Sequence, residues 1–200
     1  EDSVIYGFTH TNKGHWNLCH IPLLPVTGTP TPGDYCSPFS HERESAAPGY
    51  YQVFLDRYGV DAQLSSTLRC AFHKYTYPAG AAPAVLADLQ RSNEHVRAWD
   101  IRKEGDNVFA GWQQTGEKMY FYAVANRPVT GIEPVVEGDR EVRIVRFGEG
   151  DGALELRIGF SFVSEKNARE NFEAEMLGKS FAEVRSEATA TWNDLLGRIR

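Results

Sequence analysis

From Tyr50 onward, apolar and polar residues alternate in short blocks broken by turn residues. Tyr51, Val53 and Leu55 interleave with Gln52, Phe54 and Asp56, the period of two that marks a strand with one buried face. Tyr58-Gly59-Val60-Asp61 reads as a turn into a second long run, Ala62 to Tyr77. His95 to Arg102, Asn107 to Gln113, Lys118 to Asn126, Glu141 to Phe147 and Ala153 to Phe162 read as further strands. Lys103-Glu104-Gly105-Asp106 and Gln114-Thr115-Gly116-Glu117 have the make-up of hairpin loops, with glycine expected to take the positive φ. Many short strands at close intervals predict a mainly β fold, an antiparallel β-sandwich.

The two ends of the chain read differently. Residues 1–49 are rich in Gly, Pro, His, Thr and Ser and predict long loops around the apolar run Ile21 to Val26, with a linker-like stretch from Val26 to Ser37. Loops of that length usually carry function or lack order. After Ser164 the period becomes helical. Ala168, Phe172, Glu175 and Met176 share a face, and Gly178 stands where a helix would stop. Ser180 then caps a second helix whose broad apolar face carries Phe181, Val184, Ala188, Trp192 and Leu195/Leu196. That face is wide for a helix resting only on its own sandwich, and it predicts a partner and partial solvent exposure of Phe181, Val184, Trp192 and Leu195. The expected division is a sandwich over 1–163 and a helical linker over 164–200.

A formal charge of −6, with Lys and Arg scattered among Asp and Glu, offers no basic stripe for nucleic acid or anionic membrane. A neutral substrate fits that balance. No run reaches the roughly 20 apolar residues that span a bilayer. The chain opens at Glu1 with neither an initiator Met nor a basic leader and reads as a processed or excised piece. Cys19, Cys36 and Cys70 allow at most one disulfide and match no CxxC metal pattern.

Chemistry concentrates between His10 and His20. In one reading Trp16 is a stacking plate while His10, Asn12, His15 and Asn17 donate hydrogen bonds to sugar hydroxyls. In the other the histidines bond backbone groups and Trp16 plugs the core, and the residues alone leave both readings open. Spacing of five between His10, His15 and His20 does not converge on a metal as an i, i+4 helical pair does. Ser40-His41-Glu42-Arg43-Glu44 places two carboxylates on one short segment, whereas glycoside hydrolysis needs them across the bond from each other. A charged loop held by Arg43 is the first reading, and hydroxyl binding by His41 or Glu42 the second. No GxSxG elbow or phosphate loop occurs, and Trp99 and Trp112 fall within strand patterns.

Four stretches together resemble a known family. They are Tyr6-Gly7-Phe8-Thr9-His10-Thr11 with Ile21-Pro22-Leu23-Leu24-Pro25, Ser37-Pro38-Phe39-Ser40-His41-Glu42 with Ala47-Pro48-Gly49-Tyr50-Tyr51, Leu68 to Pro78, and Ser161 to Ala168 with the Trp192 helix. In this order they resemble glycoside hydrolase family 92. The resemblance implies an exo-acting, calcium-dependent α-mannosidase that inverts the anomeric centre and is secreted or periplasmic. It further implies that this chain is the N-terminal β-sandwich, preceded by a strand or two and followed by a helical (α/α)6 toroid. Acid, base and most calcium ligands would then lie in the toroid, with no catalytic residue and no metal ligand in this chain.

The family's "SGTGC" stretch is replaced here by Asn12 to His20; His10 just before it, and Gly14 and Asn17 within it, keep family positions, whereas His15, Trp16 and His20 do not. The substrate-facing set is therefore His10, Asn12, Gly14, His15, Trp16, Asn17, His41 and Glu42, directed at α-mannoside glycans. The competing expectation is a stand-alone carbohydrate-binding sandwich without catalysis.

Overall fold

The computed structural model describes residues 2–12 and 18–198. In chain order the first strands are β1 (Val4–Ile5), β2 (Thr11–Asn12), β3 (Leu18–Cys19), β4 (Leu23–Val26) and β5 (Ser37–Pro38). A 3-10 turn, His41–Arg43, leads to β6 (Glu44–Ala47), β7 (Tyr50–Leu55), β8 (Val60–Ser66), β9 (Cys70–Thr76) and β10 (Ala84–Ala87). Then come β11 (Ala98–Gly105), β12 (Val108–Gln114), β13 (Lys118–Ala125), β14 (Val129–Glu137), β15 (Arg140–Phe147) and β16 (Leu154–Ser161), and finally α1 (Glu165–Glu175) and α2 (Phe181–Leu196).

The antiparallel sandwich has an eight-stranded sheet, ordered β11-β12-β13-β16-β9-β8-β7-β6, facing a four-stranded sheet, β14-β15-β10-β4. Alternation decides which side chains meet between them. On β13, Met119, Phe121, Ala123 and Ala125 point inward and are buried while Lys118, Tyr120, Tyr122 and Val124 are not. They join Val53, Leu55, Val60, Tyr75, Phe109, Leu156 and Ile158, and from the smaller sheet Leu23, Leu24, Val85, Leu86 and Ile144, in one core.

Several expectations are corrected. Ala62 to Tyr77 is a hairpin, because Thr67 N–H closes on Cys70 O at 2.9 Å and lifts Leu68 to 91% exposure. The three consecutive polar residues Ser65-Ser66-Thr67 interrupt the alternation and mark the turn. The Val26 to Ser37 stretch is packed down: Tyr35 is buried and donates to Asp88 at 2.6 Å, and Asp34 pairs with Arg57 at 2.6 Å. The loops after Lys103 and Gln114 do form hairpins, yet neither Gly105 nor Gly116 takes a positive φ; Gly138, at φ 63°, does so between β14 and β15.

Both helices begin at the serines that the pattern singled out. Ser164 accepts Asn167 N–H, and Ser180 and Glu183 form a reciprocal capping box. The helices lie on the outer face of the large sheet, where Phe172, Met176, Phe181 and Val184 pack with Cys70 and Phe72. At Gly49 (φ 81°) an added Cβ would stand 2.8 Å from Ala188 Cβ, so α2 presses directly on the β6–β7 turn. The expected exposure of the whole apolar face holds for one half only. Phe181 and Val184 are buried by the sheet, whereas Trp192 (47%), Leu195 (47%) and Leu196 (54%) are exposed. Among the described residues no helix is long and apolar enough to cross a membrane.

Candidate functional site

A cavity of about 850 Å³ opens where Phe8 to Thr11 passes the ends of β8, β9 and β16 and the two helices. Phe8, His10, Phe160, Phe162 and Trp192 give it aromatic walls; Thr9, Thr11, Ser66, Asn167 and Asn171 give it polar groups. Among the described residues, none that lines it is Asp or Glu.

His10 is wired into that wall. Its ring Nδ1 lies 2.8 Å from Ile21 O, and a carbonyl only accepts, so Nδ1 carries the proton. The neutral ring then offers Nε2 as an acceptor, and His73 Nε2–H fills it at 3.1 Å. His73 Nδ1 is left to accept from the Tyr75 hydroxyl at 2.6 Å. With both imidazoles neutral, every bond in this chain is satisfied. Burial pushes the His10 pKa down to about 4, and burial, followed by repulsion from His10, holds His73 well below the ordinary histidine range.

This has a sign for stability. An unfolded histidine takes up a proton near its usual value of 6.5, while folded His10 resists until about 4. Stability is therefore complete above about pH 6.5 and is lost as pH falls toward 4. For His10 alone the loss reaches about 3 kcal/mol at the acid end. Urea unfolding at neutral and mildly acidic pH checks this, and a flat stability between pH 7 and about 5 would show that the pair is not held neutral.

A second hollow of about 390 Å³ lies beside the first, and Tyr51 borders both. Here Glu44 receives His41 Nδ1 at 2.5 Å and the Tyr51 hydroxyl at 2.6 Å. The Tyr51 bond, then the His41 bond, hold the Glu44 carboxyl below its usual range. Arg43 turns the other way, pairing with Asp56 and covering the Phe54 ring at 4.2 Å. The expected influence of Arg43 on these carboxylates is thus replaced by Tyr51 and His41. An acid tied by two donors stays ionised, the wrong state for protonating a leaving group.

Residues 1–169 match the family model described as the glycosyl hydrolase family 92 N-terminal domain. The chain belongs to this family. It is 24% identical, over 251 aligned positions, to an uncharacterised secreted glycosidase of Arthroderma benhamiae, covering all of this chain and 32% of that protein. Its fold superposes on a family GH92 α-mannosidase of Bacteroides thetaiotaomicron with a TM-score of 0.87 at 24% identity, over 98% of this chain and 31% of that one. A second family 92 glycosyl hydrolase gives 0.84 at 26% identity, again over 98% and 31%. An inverting family 92 mannosidase from the same Bacteroides species gives 0.76 at 23% identity, over 89% and 26%. The chain spans between about a quarter and a third of the length of these relatives.

Within this family 92 domain, the substrate-facing residues expected from sequence divide between places. His10 lines the main cavity, but both ring nitrogens are committed to Ile21 and His73, so it offers a ring face and edge rather than a free donor. Asn12 closes β2, pairing with Leu18. Gly14, His15, Trp16 and Asn17 lie outside the described residues. His41 borders the second hollow, and Glu42, exposed, borders neither; Glu44 stands at that hollow instead. The cysteines form no disulfide, and burial pushes the Cys70 thiol up to about 12, an unreactive state.

Sequence reasoning passed over His73, Gln113 and Trp192 as site residues. Gln113 had a readable signal, since alternation on β12 sets it on the inward face with Phe109 and Gly111. Calcium takes six to eight oxygen ligands, carboxylates foremost. Among the described residues no group of three or more His, Cys, Asp or Glu could hold a metal, and the cavity wall has no carboxylate. The described residues do not fit a calcium site.

Proposed function

We propose that this chain is the sugar-facing N-terminal domain of a secreted or periplasmic exo-α-mannosidase, which removes terminal α-linked mannose from glycans by inverting, calcium-dependent hydrolysis. The observation that carries the reading is the main cavity, which among the described residues has aromatic walls, hydroxyl and amide groups, the Arg69 guanidinium and no carboxylate in its lining. Flat rings cover the C–H faces of a pyranose, and neutral donors and acceptors match its hydroxyls. The family's solved α-mannosidases support the substrate class, one of them in complex with mannoimidazole.

In this reading the chain binds and orients. Thr9, Ser66 and Asn171 meet sugar hydroxyls, while Phe160, Phe162 and Trp192 exclude water. Proton transfer and the calcium ion belong to another part of the same protein, a helical toroid that covers the exposed end of α2. The carboxylate-free cavity would equally suit a module that holds glycans without cleaving them. Assaying the intact protein on α-1,2-, α-1,3- and α-1,6-mannobiose, with and without a chelator, separates the two. Mannose release that the chelator stops supports the enzyme; mannobiose binding without release supports the module.

A further inference from the structure

His20 (φ 61°) and Ile21 (φ 55°) are successive non-glycine residues in the left-handed region, and the second is β-branched. Such a turn persists only where its surroundings impose it, and both residues are fully buried. Successive carbonyls point to opposite sides of an extended strand; in a helical turn of either hand they point the same way. Here His10 takes both. Its backbone N–H donates to His20 O at 3.2 Å and its ring Nδ1–H to Ile21 O at 2.8 Å.

The turn is held from 92 residues away. The Ile21 N–H donates to Gln113 Oε1 at 2.5 Å, and the two hydrogens of the same buried amide go to Leu89 O at 2.9 Å and Arg91 O at 3.0 Å. Every polar atom of that side chain is matched. The His20 ring lies between the Thr11 and Thr115 hydroxyls, at 2.8 and 3.2 Å.

We propose that Gln113 is a positioning residue of the main cavity: through the His20–Ile21 turn it sets the orientation and the tautomer of His10 in the cavity wall. The inference rests on reading that cavity as a mannoside site. Gln113→Met keeps the length of the side chain and loses all three bonds. Gln113→Glu keeps the acceptor for Ile21 but sets a carboxylate against two carbonyl oxygens, an arrangement stable only when the acid is protonated.

The test uses the intact protein, labelled with 15N in histidine and assayed on 4-nitrophenyl α-mannoside well below its unfolding temperature. Gln113→Met should lower kcat/KM at least about tenfold and remove the His10 Nδ1–H signal. Gln113→Glu should show a loss at about pH 8 that shrinks at about pH 5. Val142→Ala, a core change on β15, should reduce stability while sparing both readouts. Wild-type kcat/KM and an intact His10 Nδ1–H in both Gln113 variants, with stability reduced as in Val142→Ala, would reduce Gln113 to packing. An inactive wild-type protein would sink the mannoside reading alone, and the His10 tautomer would still decide the positioning role.

Discussion

Adding one methyl group at Gly159 is expected to destabilise the chain by about 3 kcal/mol, at the upper end of what overpacking costs. A Cβ there would stand 2.2 Å from Ala168 O, 2.8 Å from Phe172 Cβ and 2.9 Å from Phe172 N. Two of these are backbone atoms of α1, so the helix itself must move off the sheet. With it goes the packing of Phe172 and Met176 on the outer face. Chemical denaturation of Gly159→Ala should show a lower midpoint with an unchanged slope. A shift under about 0.5 kcal/mol, the size of a surface change, would mean that α1 does not rest on β16 as described.

His10→Phe should have the second large effect, and on two measurements at once. Phenylalanine suits the aromatic surroundings, with Phe160 at 4.6 Å and Phe8 packed against His73, so volume is kept. The polar chain is not. Ile21 O loses its ring donor and His73 Nε2–H its acceptor, which costs about 2–4 kcal/mol for two buried groups left unmatched. In the intact protein kcat/KM should fall at least about tenfold as the wall shifts. Full activity with reduced stability would make His10 a structural residue.

The long strands and both helices were legible because each has one environment per face. Lys118–Ala125 alternates from end to end, and Ser164 and Ser180 carry the side chains that their helix starts need. β10 was not legible. All four of its residues are buried, so Ala84-Val85-Leu86-Ala87 shows no period. β14 is an edge strand interrupted by Pro134, with a register shift between Val129 and Gly131, and an edge is where proline is tolerated. The short strands before residue 49 owe their place to distant partners, such as β4 against β10, which no local pattern records.

Of the candidate site, the importance of His10 was legible and its bonding was not. Family position pointed to the residue, but His73 lies 63 positions away, and only the fold brings the two rings together. Glu44 rather than Glu42 faces the second hollow because the 3-10 turn ends between them, at Arg43, rotating Glu42 outward.

The placement of the chemistry outside these 200 residues is tested most directly by one paired assay. The purified chain and the intact protein are given 4-nitrophenyl α-mannoside side by side, with calcium. The chain should be silent and the intact protein active, because no carboxylate lines the main cavity among the described residues and, of the two carboxyls at the second hollow, Asp2 and Glu44, Glu44 is tied to Tyr51 and His41 and held ionised. Turnover by the chain alone that disappears on Glu42→Gln or Glu44→Gln would contradict this and place the catalytic acid on the sandwich itself.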